Sequence, residues 1–149
     1  MAQALEQQSK IRGLEAIFPR PEVTDRQAYA PGIKISPELD LLIFSGVTAY
    51  PPDVDPWNPG SFAVPTDPAE RSRMATDNLD KLLKAAGATW EHIVFNVNYS
   101  APGGGAINFR ERMGAWSPCS TSLRVTDTGI PGVNKVYQIK AVAPPPAIT

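Results

Sequence analysis

This sequence has one cysteine, one histidine and almost no net charge. The single cysteine excludes an internal disulfide, and the single histidine leaves a zinc site without its usual ligands. The 14 basic and 15 acidic residues nearly cancel, which argues against nucleic acid or an anionic membrane surface as a partner. No apolar run reaches the roughly 18 residues of a membrane span, and the first residues do not resemble a signal peptide. We therefore expect a cytoplasmic protein that binds no membrane and no metal.

Apolar residues make up 42% of the 149 residues, which is enough for one domain with a buried core. We interpret residues 1–25 as an N-terminal extension and residues 26–149 as a single domain. Within residues 1–18 the apolar side chains have a weak helical spacing that Gly13 interrupts, and a short helix is predicted there. A proline-rich loop is predicted at residues 51–65.

Two segments near the C-terminal end alternate apolar and polar residues, as strands with one buried face do. They are residues 119–126 and residues 134–142, with turn-forming residues between them. In the first, the predicted buried residues are Cys119, Thr121, Leu123 and Val125, and the predicted polar face holds Ser120, Ser122 and Arg124. In the second, Tyr137, Ile139 and Ala141 alternate with Gln138 and Lys140.

Three more strands are predicted upstream. Residues 33–36 and 41–49 are predicted to form a hairpin, and the apolar run LLIFS within the second is typical of a central strand. Residues 93–100 form another strand. In that strand Ile93, Phe95, Val97 and Tyr99 are predicted to face a helix.

The main helix is predicted at residues 66–87. Asp67 suits the N-cap, Glu70 completes a capping box, and Gly87 ends the apolar stripe. A shorter helix is predicted at residues 106–116. The element order is then β-β-α-β-α-β-β, an α+β layer sandwich with two helices on one face of a mixed sheet.

That layout leaves the second sheet face uncovered and polar. Its predicted residues are Ser45, Asn96, Asn98, Ser120, Ser122, Arg124 and Gln138. A face this broad is either solvated or buried against another subunit. Association is favoured because Tyr29, Trp57 and Trp116 are available as interface anchors.

This order of elements, together with several motifs, resembles the RidA/YjgF family of enamine/imine deaminases over roughly residues 26–143. The motifs are residues 43–46 (IFSG), the helix and strand of residues 69–101, Ile107-Asn108, Pro118 and residues 136–143 (VYQIKAVA). The resemblance implies a chorismate-mutase-like fold and no cofactor. It also implies a homotrimer whose sheets line a central barrel and whose sites lie between subunits.

The family's functional positions match this chain unevenly. Tyr29 resembles the family's tyrosine, Ser45 and Gly46 the turn beside the pocket, and Asn108 the asparagine that opens the second helix. The position of the carboxylate-binding arginine is occupied by Ser120. If the register moved by one residue it would be occupied by Cys119, and that shift would turn Ser122 and Arg124 into the core. The glutamate that positions water falls on Gln138.

These replacements change the chemistry that the resemblance implies. Serine cannot bind a carboxylate bidentately, and a glutamine amide cannot act as a general base. Arg124 is predicted on the same face as Ser120 but about 13 Å along the strand, at about 3.3 Å per residue. The candidate catalytic residues are Tyr29, Asn108 and Gln138, and the candidate substrate-binding residues are Ser45, Gly46, Ser120, Ser122 and Arg124.

Two functions remain open on this reading. The first is a cofactor-independent enzyme of the deaminase or hydrolase type that acts on a small imine, enamine or related metabolite. The second is a non-catalytic homotrimer that binds a metabolite or a protein in the same clefts. Ribonuclease activity is not predicted, because the sequence shows no basic groove.

Overall fold

A computed structural model of the chain describes residues 10–20, 29–52, 62–103, 112–114, 116–130 and 133–144. The elements within these ranges are β1 (Leu14–Ile17), β2 (Gly32–Ile35), β3 (Asp40–Ile43), α1 (Pro68–Ala85), β4 (Ile93–Ser100), β5 (Cys119–Arg124) and β6 (Lys135–Ala143). A 3-10 turn, Trp90–His92, leads into β4. The predicted α+β class is confirmed.

The main sheet has four strands in the order β3-β6-β4-β5. β4 and β5 run parallel, while β6 pairs antiparallel with both β3 and β4. β1 and β2 form a separate antiparallel pair. The main sheet is therefore mixed, as predicted, and β3 and β5 are its edge strands.

α1 begins and ends where the sequence indicates. The Asp67 carboxylate accepts a hydrogen bond from the Glu70 backbone N–H at 2.9 Å, which satisfies one of the free donors of the first turn. The helix ends at Ala85, just before Gly87. Ala75, Leu79 and Leu83 of its apolar stripe are buried.

One face of the sheet packs against this stripe. Tyr137, Ile139 and Ala141 of β6 are fully buried and belong to the same core cluster as the helix stripe. We call this face the covered face and the opposite one the open face. Burying a large aliphatic or aromatic side chain contributes about 1.5–3 kcal/mol, so this contact stabilises the fold.

The helix predicted within residues 1–18 is wrong for the part that the structure describes. Gly13 has φ +92°, a conformation that a helix cannot contain, and β1 follows it directly. Leu14 and Ala16 are buried while Glu15 and Ile17 are exposed, which is the alternation of a strand. The division into an extension and a domain stays a prediction.

The hairpin predicted between residues 33–36 and 41–49 is also wrong. β2 pairs with β1, and β3 pairs with β6 and not with β2. The run LLIFS therefore lies at the edge of the sheet and not at its centre. Leu41 and Ile43 are 56% and 68% exposed in consequence.

A β-bulge in β4 reverses the predicted faces of that strand. Ile93 lies opposite Ala141, but Phe95 already lies opposite Lys140, so one extra residue interrupts the alternation. Phe95, Val97 and Tyr99 therefore share the open face with Gln138. Asn96 and Asn98, predicted on that face, lie on the covered face opposite Ile139 and Tyr137.

The predicted second helix falls mostly outside the described residues. Arg112 and Met113, near its end, are helical. Arg112 pairs with Asp77 of α1 at 2.9 Å and lies 5.8 Å from the Trp90 ring centroid, so this segment is anchored on α1. Among the described helices, none is long and apolar enough to cross a membrane.

His92 gives the fold a testable pH dependence. Its Nδ1 accepts a hydrogen bond from the Thr89 backbone N–H at 3.0 Å, and burial lowers the pKa of His92 below its ordinary value. The folded state then binds fewer protons than the unfolded state. Its contribution to stability is complete above the unfolded pKa of about 6.5 and is lost as pH falls through that value towards the lower folded pKa.

The urea concentration at which half of the protein is unfolded is therefore expected to decrease as the pH is lowered from about 7.5 to about 5.5, the range in which an ordinary histidine titrates. Because His92 is the chain's only histidine, His92→Ala should flatten this dependence. An equal slope in wild type and variant would contradict the assignment.

Candidate functional site

The structure brings together Ser45, Gly46 and Gln138 at the junction of β3 and β6. The Phe44 N–H donates to the Ile139 carbonyl at 3.2 Å, and the Val47 N–H donates to the Tyr137 carbonyl at 2.7 Å. Ser45 and Gly46 lie between these two bonds and therefore beside Gln138. All three are exposed. Three of the predicted site residues thus form one patch, which we call the Gln138 patch.

Gly46 stands where a side chain does not fit. A Cβ at this position would lie 2.8 Å from Cγ1 of Val136, closer than real Cβ contacts allow. The loop after β3 therefore approaches β6 closely only because residue 46 is glycine.

Gly46→Ala is expected to destabilise the protein by about 1–3 kcal/mol, the usual cost of overpacking. Val136→Ala in the same chain removes the clashing methyl group and should restore most of the loss. The check is a double-mutant cycle of urea unfolding with both single variants. Simple additivity of the two changes would show that the contact is not the cause.

The open face around the patch is mainly apolar, so the predicted polar face is wrong. The cross-strand register places on it Leu41, Ile43, Phe95, Val97, Tyr99, Leu123, Val136 and Val142, together with Cys119, Thr121, Gln138 and Lys140. Of these, Val97 and Val142 are buried. Leu123, predicted to be buried, is 45% exposed because β5 is an edge strand. The Lys140 ammonium lies 5.5 Å from the Phe95 ring centroid, so its charge sits over an apolar neighbour.

The titratable groups near the patch are shifted towards their neutral forms. Burial raises the pKa of the Cys119 thiol and of the Tyr137 phenol, and it lowers the pKa of the Lys135 ammonium. Cys119 is therefore not an activated nucleophile. At the Gln138 patch itself, the chemistry available is hydrogen bonding by a hydroxyl, an amide and backbone groups.

Ser120, Ser122 and Arg124 do not join the patch. β5 pairs Ser120 with Asn96 and Ser122 with Asn98, so these residues point to the side opposite Gln138. The prediction that they share a face with Gln138 is wrong, because it assumed unbroken alternation through β4. The alternative position for the family arginine, Cys119, does lie on the open face.

Asn96 is a further polar residue of the sheet that the sequence does not predict as a site residue. Its amide donates to the Ser120 hydroxyl at 3.3 Å, and it is only 6% exposed. Its Oδ1 has no hydrogen-bond partner among the described residues. The feature of the sequence that could have indicated it is an asparagine between apolar residues of a predicted strand.

The other predicted site residues stand apart or are not described. Tyr29 is 46% exposed and precedes β2, outside the main sheet. Asn108 lies outside the described residues. Their predicted roles stay predictions. In the described ranges, no group of three or more histidine, cysteine, aspartate or glutamate side chains is placed to hold a metal ion.

A concave feature lies where β4 and β5 end and β6 begins. This loop cleft has a volume of about 520 Å³ and is lined by Ala101, Pro102, Thr126, Asp127, Gly129, Ile130, Val133 and Asn134. From the sequence these loops are predicted only as connections. Turn residues without a motif gave no signal for a cleft.

The sequence matches no protein-family model and no curated protein. Solved structures do resemble it. A Rid family protein of unknown function from Yersinia pestis, YyfB, has a TM-score of 0.66 and 17% identity over 88% of this chain and 99% of its own. A second one from Yersinia pestis, YyfA, has a TM-score of 0.53 and 19% identity over 93% and 94%.

The protein YJGH is similar at the same level, with a TM-score of 0.51 and 24% identity over 89% of this chain and 98% of its own. Identities this low establish architecture and not activity. The fold predicted from the RidA/YjgF resemblance is therefore confirmed, and the chain has the fold of the Rid proteins.

Proposed function

We propose that this chain is a RidA/YjgF family member that assembles as a homotrimer through its open face. In this proposal it acts without a cofactor on a small imine or enamine in clefts between the subunits. The observation that carries the proposal is the position of Ser45, Gly46 and Gln138 within a mainly apolar and partly exposed sheet face.

The apolar side chains support assembly. Leu41 and Ile43 are exposed neighbours on edge strand β3, and Leu123 is exposed on the same face at the opposite edge, in β5. Exposed large aliphatic residues on one sheet face are typical of an interaction site. Identical chains commonly bury such surfaces in closed symmetric oligomers. A neighbouring subunit laid over the open face would cover these residues and turn the Gln138 patch into the wall of a cleft.

The proposed reaction is hydrolysis of a protonated imine. Water adds to the imine carbon, the C–N bond then breaks, and the products are a carbonyl compound and an ammonium ion. The Gln138 amide can donate and accept hydrogen bonds and thereby orient the water. Because an amide is no general base, the proton transfers rely on the substrate's own nitrogen and on solvent.

A non-catalytic homotrimer is the second candidate. It is favoured by one observation, the absence of an ionisable group among Ser45, Gly46 and Gln138. Such a patch suits recognition of a neutral polar molecule. The same clefts would then bind a metabolite without converting it.

The two functions separate in an assay of ammonia release from 2-aminoacrylate-type imines. Turnover should exceed the buffer rate, and Gln138→Ala should lower it at least about tenfold, since misplacing the water sacrifices part of the orientation effect. Lys34→Ala, on the separate β1–β2 pair, serves as a control. A buffer-level rate together with a ligand-dependent rise in melting temperature would favour the binding protein.

A further inference from the structure

The loop cleft is a site separate from the Gln138 patch. It is formed by the ends of β4 and β5 and by the loop before β6, whereas the patch lies at the junction of β3 and β6. Its volume of about 520 Å³ falls within the range of small-molecule sites, roughly 300–1,000 Å³.

The walls of the cleft are held in place by a chain of hydrogen bonds. The Arg71 guanidinium of α1 donates to the Pro65 carbonyl and to the Asn134 side-chain oxygen. Asn134 in turn donates to the Pro102 carbonyl at 2.5 Å, and the Ala101 N–H donates to the Asn134 carbonyl at 2.9 Å. These contacts fix both sides of the opening to the main helix, so the cleft is preformed.

The described lining of the cleft carries one formal charge, which is negative. Asp127 is the only ionisable residue among the described residues that line it. Its Oδ1 accepts a hydrogen bond from the Gly129 N–H at 2.7 Å, as in an Asx turn, and its other oxygen has no partner among the described residues. That oxygen is available to a ligand.

The rest of the lining adds apolar surface and neutral acceptors. Ile130 and Val133 contribute aliphatic side chains, and Val133 is buried. The Thr128 hydroxyl donates to the Val133 carbonyl, which holds this wall in place. A carboxylate beside aliphatic side chains and neutral acceptors is complementary to a cationic group on a short hydrocarbon.

We infer that the loop cleft binds small organic amines in their protonated form, with the ammonium group at Asp127 and the hydrocarbon against Ile130 and Val133. This inference does not rest on the proposed function, because it concerns other residues and requires no turnover. It assigns an ammonium specificity to a loop that otherwise only connects two strands.

The test compares three probes of one shape: butylammonium, butanoate and 1-butanol. Backbone amide shifts of Gly129, Val133 and Asn134 are followed by NMR as each probe is titrated into the full chain. Butylammonium should bind more tightly than butanol by up to about fivefold, the upper end of the range for an exposed ion pair, and butanoate should bind most weakly. The preference should shrink as salt is added.

Asp127→Asn removes the charge but keeps an acceptor for Gly129, so the turn should survive. It is expected to abolish the preference for butylammonium over butanol. Asp40→Asn, a change to another exposed carboxylate outside the cleft, should leave the preference intact. Equal binding of all three probes, a preference that persists in Asp127→Asn, or shifts confined to open-face amides would overturn the inference.

Discussion

Ile43→Glu is expected to convert the proposed trimer into single chains of 16.1 kDa. Ile43 is the most exposed of the large aliphatic residues on the open face and lies in edge strand β3. In the proposed assembly each interface would have to bury a glutamate among apolar side chains. An unpaired buried charge costs several kcal/mol, and a closed trimer contains the change three times.

Sedimentation velocity measures this result directly, and Ile35→Glu provides its matched control. Ile35 is also an exposed isoleucine in a strand, 39% exposed, but it belongs to β2 in the separate two-stranded sheet. The control should remain assembled. A wild-type protein that sediments as a single chain would refute assembly, and dissociation of both variants would refute the choice of face.

The elements that the sequence predicted well are those whose signals are local. α1 has its N-cap at Asp67 and its end just before Gly87, and both signals lie within the helix or beside it. β4 was predicted with its observed bounds, and β6 with one-residue differences at its ends, because each is a continuous run between turn residues. Such patterns need no knowledge of the rest of the chain.

The errors concern strand pairing and faces, which depend on distant residues. A bulge between Ile93 and Phe95 leaves no mark in composition, yet it turns Asn96 to the covered face and brings Phe95 to the open one. Because β5 follows β4 in parallel register, the same bulge carries Ser120 away from Gln138. This offset of one residue, which the sequence does not predict, places the candidate site residues on two opposite faces of the sheet.

The candidate site was predictable only where a motif fixed it. Ser45, Gly46 and Gln138 came from short motifs that the resemblance supplied, and they do meet in the structure. The loop cleft was not predictable, because Arg71 and Asn134 are distant in sequence and meet only through the fold. Polar residues that hold loops in place show no periodic pattern in the sequence.

Leu83→Ala is expected to lower the free energy of unfolding by about 2–5 kcal/mol, the range for truncating a fully buried leucine. Leu83 is fully buried in the stripe of α1 that packs with the covered face. Urea unfolding followed by circular dichroism measures the change. A loss below about 1 kcal/mol would mean that α1 does not form this contact.

Leu41→Ala makes the same chemical change on the open face and distinguishes the two surfaces. In an isolated chain an exposed leucine contributes little, and the variant should lie within about 0.5 kcal/mol of wild type. In an assembled protein the same variant weakens the interface, and its unfolding midpoint then depends on protein concentration. The Leu83 variant should lose stability at every concentration. If the loss of stability caused by Leu41→Ala becomes smaller as the protein concentration is raised, the open face is covered by other copies of this chain.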